Sequence, residues 1–317
     1  MEDKKKILVL CGGKFALGAL QKLAFENYLC GVAVGKGQDS IVKALETASA
    51  SSNIPFKHFS TQKSTEELGG WIRSIQPDYV FSISFPFRLN RDVLSYGEKK
   101  FINLHLGPLP AYRGPMPIFE VLRYQEKETA IAVHYMNDEF DEGALIFNDP
   151  VQISPTDTFG TLATKLSARA SGIALNLANM LQYASQIPAY EQNENEAKYF
   201  EFPEEQDTFV NWKNMSASEI TALINACNPW NNGADAYLRD QLVKLIYAGS
   251  REAVHQEIPG TIIGITSDGE LEVACFNDSI LSIKIISSDL GILPADQYAQ
   301  IAIPNIVTIT KSNEVLI

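Results

Sequence analysis

The first half of the chain alternates short apolar runs with helix-like segments, and that alternation admits few folds. Residues 7–10, 32–34, 55–58, 79–84, 101–105, 130–135 and 144–147 read as strands. Between the early ones lie helix-like stretches near 16–26, 41–50 and 66–75. Strands separated by helices pair in parallel with helices covering the faces, so an α/β unit with a mostly parallel sheet is expected. Residues 159–181 form the longest helical pattern, with Leu162, Leu166, Ala170, Ile173, Leu177 and Leu181 on one core-facing stripe. Gly12-Gly13 opens a turn after the first strand, but no Gly-x-Gly-x-x-Gly follows, so nicotinamide binding is not supported.

A different pattern follows. Residues 191–206 are polar and acidic and read as a linker. Beyond them come a helix at 217–226 and β-rich runs at 242–247, 260–265, 271–274 and 280–286, with Ser267-Asp268-Gly269 as a hairpin turn. This part reads as a small β-barrel-like unit. Two domains are therefore expected, 1–190 and 207–317, within a length of 317 residues. No pattern assigns the tail after about residue 287 to an element.

Net charge is −12 and unevenly spread, with 6 basic and 16 acidic residues from residue 201 onward. Nucleic-acid backbones are held by clustered Lys and Arg, so this balance argues against nucleic acid as a partner. No stretch has the uninterrupted apolar length of a membrane span. The charged start leads into an apolar run too short for a signal peptide, and it reads as a first strand. Cys11, Cys30, Cys227 and Cys275 are scattered without a Cys-x-x-Cys pair. A reduced, cytoplasmic protein without structural zinc is the expectation.

The chemistry concentrates in Phe-Ile-Asn-Leu-His-Leu-Gly-Pro-Leu-Pro-Ala-Tyr-Arg-Gly, residues 101–114. Side chains two apart on a strand share a face, so Asn103 and His105 point the same way. Leaving such groups buried and unpaired costs on the order of a few kcal/mol. Gly107, Pro108 and Pro110 then end the strand. An amide and an imidazole at a strand's carboxyl end sit where open α/β sheets place ligands. Downstream, Asp138-Glu139-Phe140-Asp141-Glu142-Gly143 supplies carboxylates in a turn-like setting. The combination reads as a histidine-centred reaction site.

Asn-x-His, the Gly/Pro turn ending Leu-Pro, Tyr-Arg-Gly and the downstream Asp-x-Gly resemble the folate-dependent formyltransferases. Phe209-Val210-Asn211-Trp212 and Asn228-Pro229-Trp230 resemble the start of the C-terminal domain in that family. The resemblance implies a Rossmann-like catalytic domain and a C-terminal OB-like domain. It implies Asn103, His105 and Asp141 as the catalytic trio and 10-formyltetrahydrofolate as the formyl donor, without a metal. An imidazole suits proton transfer near neutral pH, an amide suits oxyanion stabilisation, and a carboxylate orients the imidazole. By the same resemblance, Phe85, Phe87, Arg88 and Leu89 line the pterin loop, with Asp138 and Gly143 opposite. The family's turn reads His-x-Ser-Leu-Leu-Pro, whereas here Gly107 and Pro108 stand at the acceptor pocket. Arg113 either steadies that loop or pairs with a carboxylate of substrate or folate. His58, His134 and His255 read as structural.

Members of the family that act on tRNA carry a basic insertion after the second strand; here Gly35-Lys36-Gly37-Gln38-Asp39-Ser40 is short with one lysine. A small amine is therefore the expected acceptor, a nucleotide-linked amino sugar first. Methionyl-tRNA and an amine on another metabolite are the alternatives. Hydrolysis of the formyl-folate by the same trio is a further one.

Overall fold

The computed structural model describes residues 4–97 and 99–309. Two units emerge, one of residues up to 117, 128–153 and 162–202, the other of 118–127, 154–161 and the chain from 203 onward. In chain order the first half forms β1 (Ile7–Cys11), α1 (Leu17–Phe25), β2 (Leu29–Val34), α2 (Asp39–Ser51), β3 (Phe56–His58), α3 (Leu68–Ile75) and β4 (Tyr79–Ile83). Next come α4 (Arg91–Leu94), β5 (Phe101–His105), α5 (Pro117–Arg123), β6 (Glu128–Tyr135), β7 (Leu145–Gln152) and α6 (Phe159–Tyr183).

The sheet of the first unit runs β3-β2-β1-β4-β5-β6-β7. Its five leading strands are parallel; β6 and β7 are antiparallel additions. Every residue of β1 and β4 is buried, as expected for strands covered on both faces. Leu8, Leu10, Phe59, Leu68, Ile72, Val80, Val93 and Phe101 share one apolar cluster. Each such side chain contributes roughly 1.5–3 kcal/mol on burial. The mostly parallel α/β unit is thus as expected.

Departures from the sequence pattern have local causes. β7 continues to Gln152, five residues beyond its apolar start, because it is an edge strand whose outer positions are polar and tolerate Pro150. α4 is a single turn with Asn90 as cap, its Oδ1 accepting from Val93 N at 2.9 Å, too short for any periodicity to register. The acidic stretch around 192–206 is ordered, as Gln192 is 8% exposed and Glu204 and Asp207 form a reciprocal capping box.

The second unit contains α7 (Ala217–Cys227), β8 (Ala234–Leu238), β9 (Gln241–Glu252), β10 (Ile262–Thr266), β11 (Leu271–Cys275), β12 (Ser279–Ser288), β13 (Gly291–Pro294), α8 (Ala295–Ala302) and β14 (Thr308–Ile309). Ser216 and Glu219 cap α7 reciprocally. Its sheet runs β14-β10-β11-β12-β9-β8, with β13 on β12, and is antiparallel except where β14 joins β10. The Ser267–Gly269 turn links β10 to β11, with Gly269 at φ 79°. The tail after 287 supplies β13, α8 and β14 to this unit. No helix among the described residues is long and apolar enough to cross a membrane.

Candidate active site

β5 carries the site, and the register of its neighbours decides what joins it. Asn103 lies opposite Ser82 of β4 on one side and His134 of β6 on the other. The antiparallel register with β6 therefore brings a second histidine beside Asn103, a placement that His134's alternating strand position did not reveal. The turn after β6 then folds Asp141 back over both. Asp141 adopts φ 59°, and a Cβ on Gly143 would fall 1.8 Å from the Tyr135 carbonyl oxygen, so this turn needs glycine to close.

Asn103, His105 and Asp141 converge. His105 Nδ1 is 3.4 Å from Asp141 Oδ1, and His105 is 7% exposed. His105 Nε2 lies 2.7 Å from the Tyr112 carbonyl oxygen, which can only accept, so Nε2 carries a hydrogen. An imidazolium at this position has an acceptor for both N–H groups. His134 Nδ1 lies 2.9 Å from the Tyr135 carbonyl, so that nitrogen is the donor and Nε2 is free to accept. Asn103 Nδ2 meets His134 Nε2 at 3.0 Å and donates to Asp141 Oδ1 at 3.3 Å. With the amide reversed, its oxygen would face a carboxylate, so the donor network fixes the amide's orientation.

Asp141 is the hub. Its Oδ2 accepts from Gly114 N at 3.0 Å, and His134 Nε2 stands 3.6 Å from Oδ1. Burial opposes ionisation of this carboxyl, but the charge of His105, the His134 ring and the Gly114 amide together hold it well below the usual carboxylate range.

The other expected site residues are placed as follows. Phe85 and Phe87 are half-buried and meet edge to face with ring centroids 5.6 Å apart, while Leu89 is a member of the core cluster. Arg88 ties this loop to the turn after β6, its Nε donating to the Asp138 carbonyl at 2.7 Å and its Nη2 lying 2.8 Å from Glu139 Oε2. The Asp138 carboxylate pairs with Arg91. Gly107 lies over the imidazole, where an added Cβ would stand 3.3 Å from His105 Nε2 and 2.5 Å from Pro117 Cβ, and Pro108 follows it on that turn. Arg113 points inward, 4% exposed, bound by Gln192 and Glu194. That burial favours the loop-steadying reading of Arg113 over a direct contact to substrate.

Chemically, the arrangement offers a buried imidazole with a carboxylate partner, two amide hydrogens beside it and an apolar wall of phenylalanines at the neighbouring strand end. No group of three metal-ligating side chains occurs among the described residues.

The chain is similar to known proteins over both of its halves. A sequence profile described as formyl transferase matches residues 6–176, and one described as formyl transferase, C-terminal domain, matches 204–301. A methionyl-tRNA formyltransferase of Clostridium beijerinckii is 25% identical over 290 residues, covering 90% of this chain and 92% of that protein. A variant of HypX from Aquifex aeolicus matches with TM-score 0.65 at 15% identity, over 97% of this chain and 49% of its own, so this chain spans about half that protein's length. The N-formyltransferase from Helicobacter canadensis, solved with folinic acid and dTDP-3-aminofucose, matches with TM-score 0.64 at 16% identity, over 88% of this chain and 98% of that one. At these identities the structural likenesses establish the fold.

Proposed function

The chain belongs to the formyl transferase family, and from that premise we propose that it moves a formyl group from 10-formyltetrahydrofolate to a primary amine of a small molecule, a nucleotide-linked amino sugar. The observation that carries formyl transfer is the convergence of Asn103, His105 and Asp141 at the carboxyl end of β5. Residues 1–190 are the catalytic domain in this reading and 207–317 the accessory one.

The folate supplies an activated formyl group on a nitrogen that can leave. The half-buried Phe85 and Phe87, nearly perpendicular to each other, offer an apolar wall for a pterin, and Arg88 fastens that wall to the Asp138–Gly143 turn. His105, with its hydrogen on Nε2, takes at Nδ1 the proton that the attacking amine releases and passes it to the departing folate nitrogen, while Asp141 holds the ring and balances its charge. Asn103 directs an N–H at the formyl oxygen as negative charge develops there.

The acceptor follows from charge. The region from residue 201 onward carries 6 basic against 16 acidic residues, and the 35–40 loop has one lysine. A polyanionic tRNA meets repulsion over a wide surface, whereas a nucleotide-sugar carries only a few charges. The Helicobacter canadensis enzyme, solved with an amino-sugar nucleotide, lends this reading support. The Clostridium beijerinckii relative favours methionyl-tRNA instead. Mass spectrometry of products from a panel of amino-sugar nucleotides, with charged initiator tRNA as a parallel arm, decides between them. Formylation of a nucleotide-linked amine at enzyme concentrations that leave tRNA untouched is expected. Efficient tRNA formylation, weakening steeply with salt, would overturn the acceptor assignment.

A further inference from the structure

The segment before residue 202, polar enough to pass for a linker, threads through the site. Tyr190 exchanges both backbone hydrogen bonds with Leu145, at 2.8 and 3.0 Å. Lys198 N donates to Pro110 O, Arg113 N to Lys198 O and Phe200 N to Arg113 O, at 3.1, 3.0 and 2.9 Å. Both walls of the site, the turn after β5 and the turn after β6, therefore hang on one stretch of chain.

Gln192 sits at the crossing. A carboxamide has two N–H hydrogens and two lone pairs, and here all four are engaged. Nε2 donates to the Asp141 carbonyl at 2.7 Å and to the Gly143 carbonyl at 2.8 Å. Oε1 accepts from Arg113 Nε at 3.2 Å and Nη2 at 3.0 Å. Arg113 is in turn gripped by Glu194 through Nη1 at 3.0 Å and Nη2 at 2.6 Å, and Glu142 Oε1 lies 3.6 Å from Nη1. Arg113 is 4% exposed, and a buried guanidinium stays buried only with such partners. The residue after it, Gly114, gives its N–H to Asp141 Oδ2. Asp141 is thus held by its carbonyl through Gln192 and by its carboxylate through the turn that Arg113 anchors.

We infer that Gln192, backed by the Arg113–Glu194 pair, is a positioning residue that holds Asp141 in its left-handed turn and so sets the His105–Asp141 contact. Neither Gln192 nor Glu194 touches the imidazole. The inference rests on formyl transfer for its kinetic consequence, but its structural consequence can be read without turnover. Gln192→Glu keeps size and shape and still accepts from Arg113, while losing the two hydrogens that hold Asp141 and Gly143. Small misplacements of a catalytic group lower turnover by up to about a hundredfold.

The test uses the full chain labelled with ¹⁵N-histidine, tractable because there are four histidines. In Gln192→Glu the imidazole resonances of His105 and His134 should move while those of His58 and His255 stay. Turnover should fall roughly ten- to hundredfold, with the KM for folate changed less than about threefold. Glu194→Gln, at an exposed position and so less disruptive, should give a smaller change in the same two resonances and a smaller fall in turnover; if Gln192→Glu fails to fold, it decides alone. Reduced turnover with unmoved His105 resonances would overturn the inference, as would unchanged turnover and resonances. All four histidines shifting together would show a merely structural role and overturn it too. If the wild-type chain forms no formylated product, formyl transfer fails, and the resonances still decide the positioning role.

Discussion

Replacing Asp141 with asparagine removes one charge at the hub and leaves the shape. In the wild-type arrangement Asp141 Oδ1 is 3.4 Å from His105 Nδ1. Two unit charges at that distance attract by about 5 kcal/mol at an effective dielectric of about 20. That sets a ceiling, reached only if the imidazole is fully charged in the transition state. Two N–H groups also donate to this carboxylate, from Gly114 and Asn103, and His105 Nδ1 adds a third once the ring is protonated. An amide has one oxygen to offer, so at least one donor then faces an NH₂ group. A loss of about 3–5 kcal/mol in transition-state stabilisation corresponds to a fall in kcat of roughly 10²–10⁴-fold. His105→Ala should cost as much, and the double variant little more, because residues that act as a unit are not additive. Single-turnover formylation under saturating folate and amine is the assay, with folate affinity measured separately and expected to change modestly. Turnover within about fivefold of wild type in either single variant, or full additivity in the double, would refute the reasoning.

Two further outcomes follow from the same geometry. A 5-formyltetrahydrofolate analogue at about a hundredfold over its Kd should raise the unfolding free energy by about 2.7 kcal/mol, visible as a rise in Tm, and no shift at saturation would remove the folate assignment. Acid stability is the other: the depressed Asp141 carboxyl keeps its charge where an unfolded aspartate, with a pKa of about 3.9, takes up a proton. Its contribution is therefore complete above that value and lost as pH falls below it, so urea unfolding between about pH 4 and pH 2 should show a steeper decline for wild type than for Asp141→Asn.

The sheet was legible in the sequence because burial on both faces leaves apolar runs that nothing else explains. β1 and β4 are of this kind, and β5 needed no adjustment at either end. β7 was half legible, since an edge strand with alternating exposure and Pro150 carries little apolar signal. The tail elements were not legible, because β13 and β14 are short and α8 buries only Ala295, Tyr298 and Ala299. In the site, Asn103, His105 and Asp141 announced themselves through motif residues close in sequence. His134 did not, because its part depends on a strand register that no local pattern specifies. Gln192 lies in a stretch whose polarity suggests solvent, yet its amide is satisfied entirely by backbone carbonyls and one guanidinium. Long-range polar pairing leaves no periodic trace.

In the proposed reaction, Asn103 is constrained by the hydrogens it has already committed. One goes to His134 Nε2 at 3.0 Å and the other to Asp141 Oδ1 at 3.3 Å. A formyl oxygen that accepts from this amide must displace one of them. Releasing the His134 hydrogen strands an acceptor on a ring that is 2% exposed, a cost of about 1–3 kcal/mol. Releasing the Asp141 hydrogen costs less, since that carboxylate keeps the Gly114 amide and gains a full charge partner as His105 takes up the amine's proton. On the proposed mechanism, the hydrogen facing Asp141 is therefore the one that would turn to the substrate. Proton transfer to His105 and the freeing of an oxyanion donor on Asn103 would then draw on the same carboxylate, coupling charge development at the formyl oxygen to proton removal from the amine.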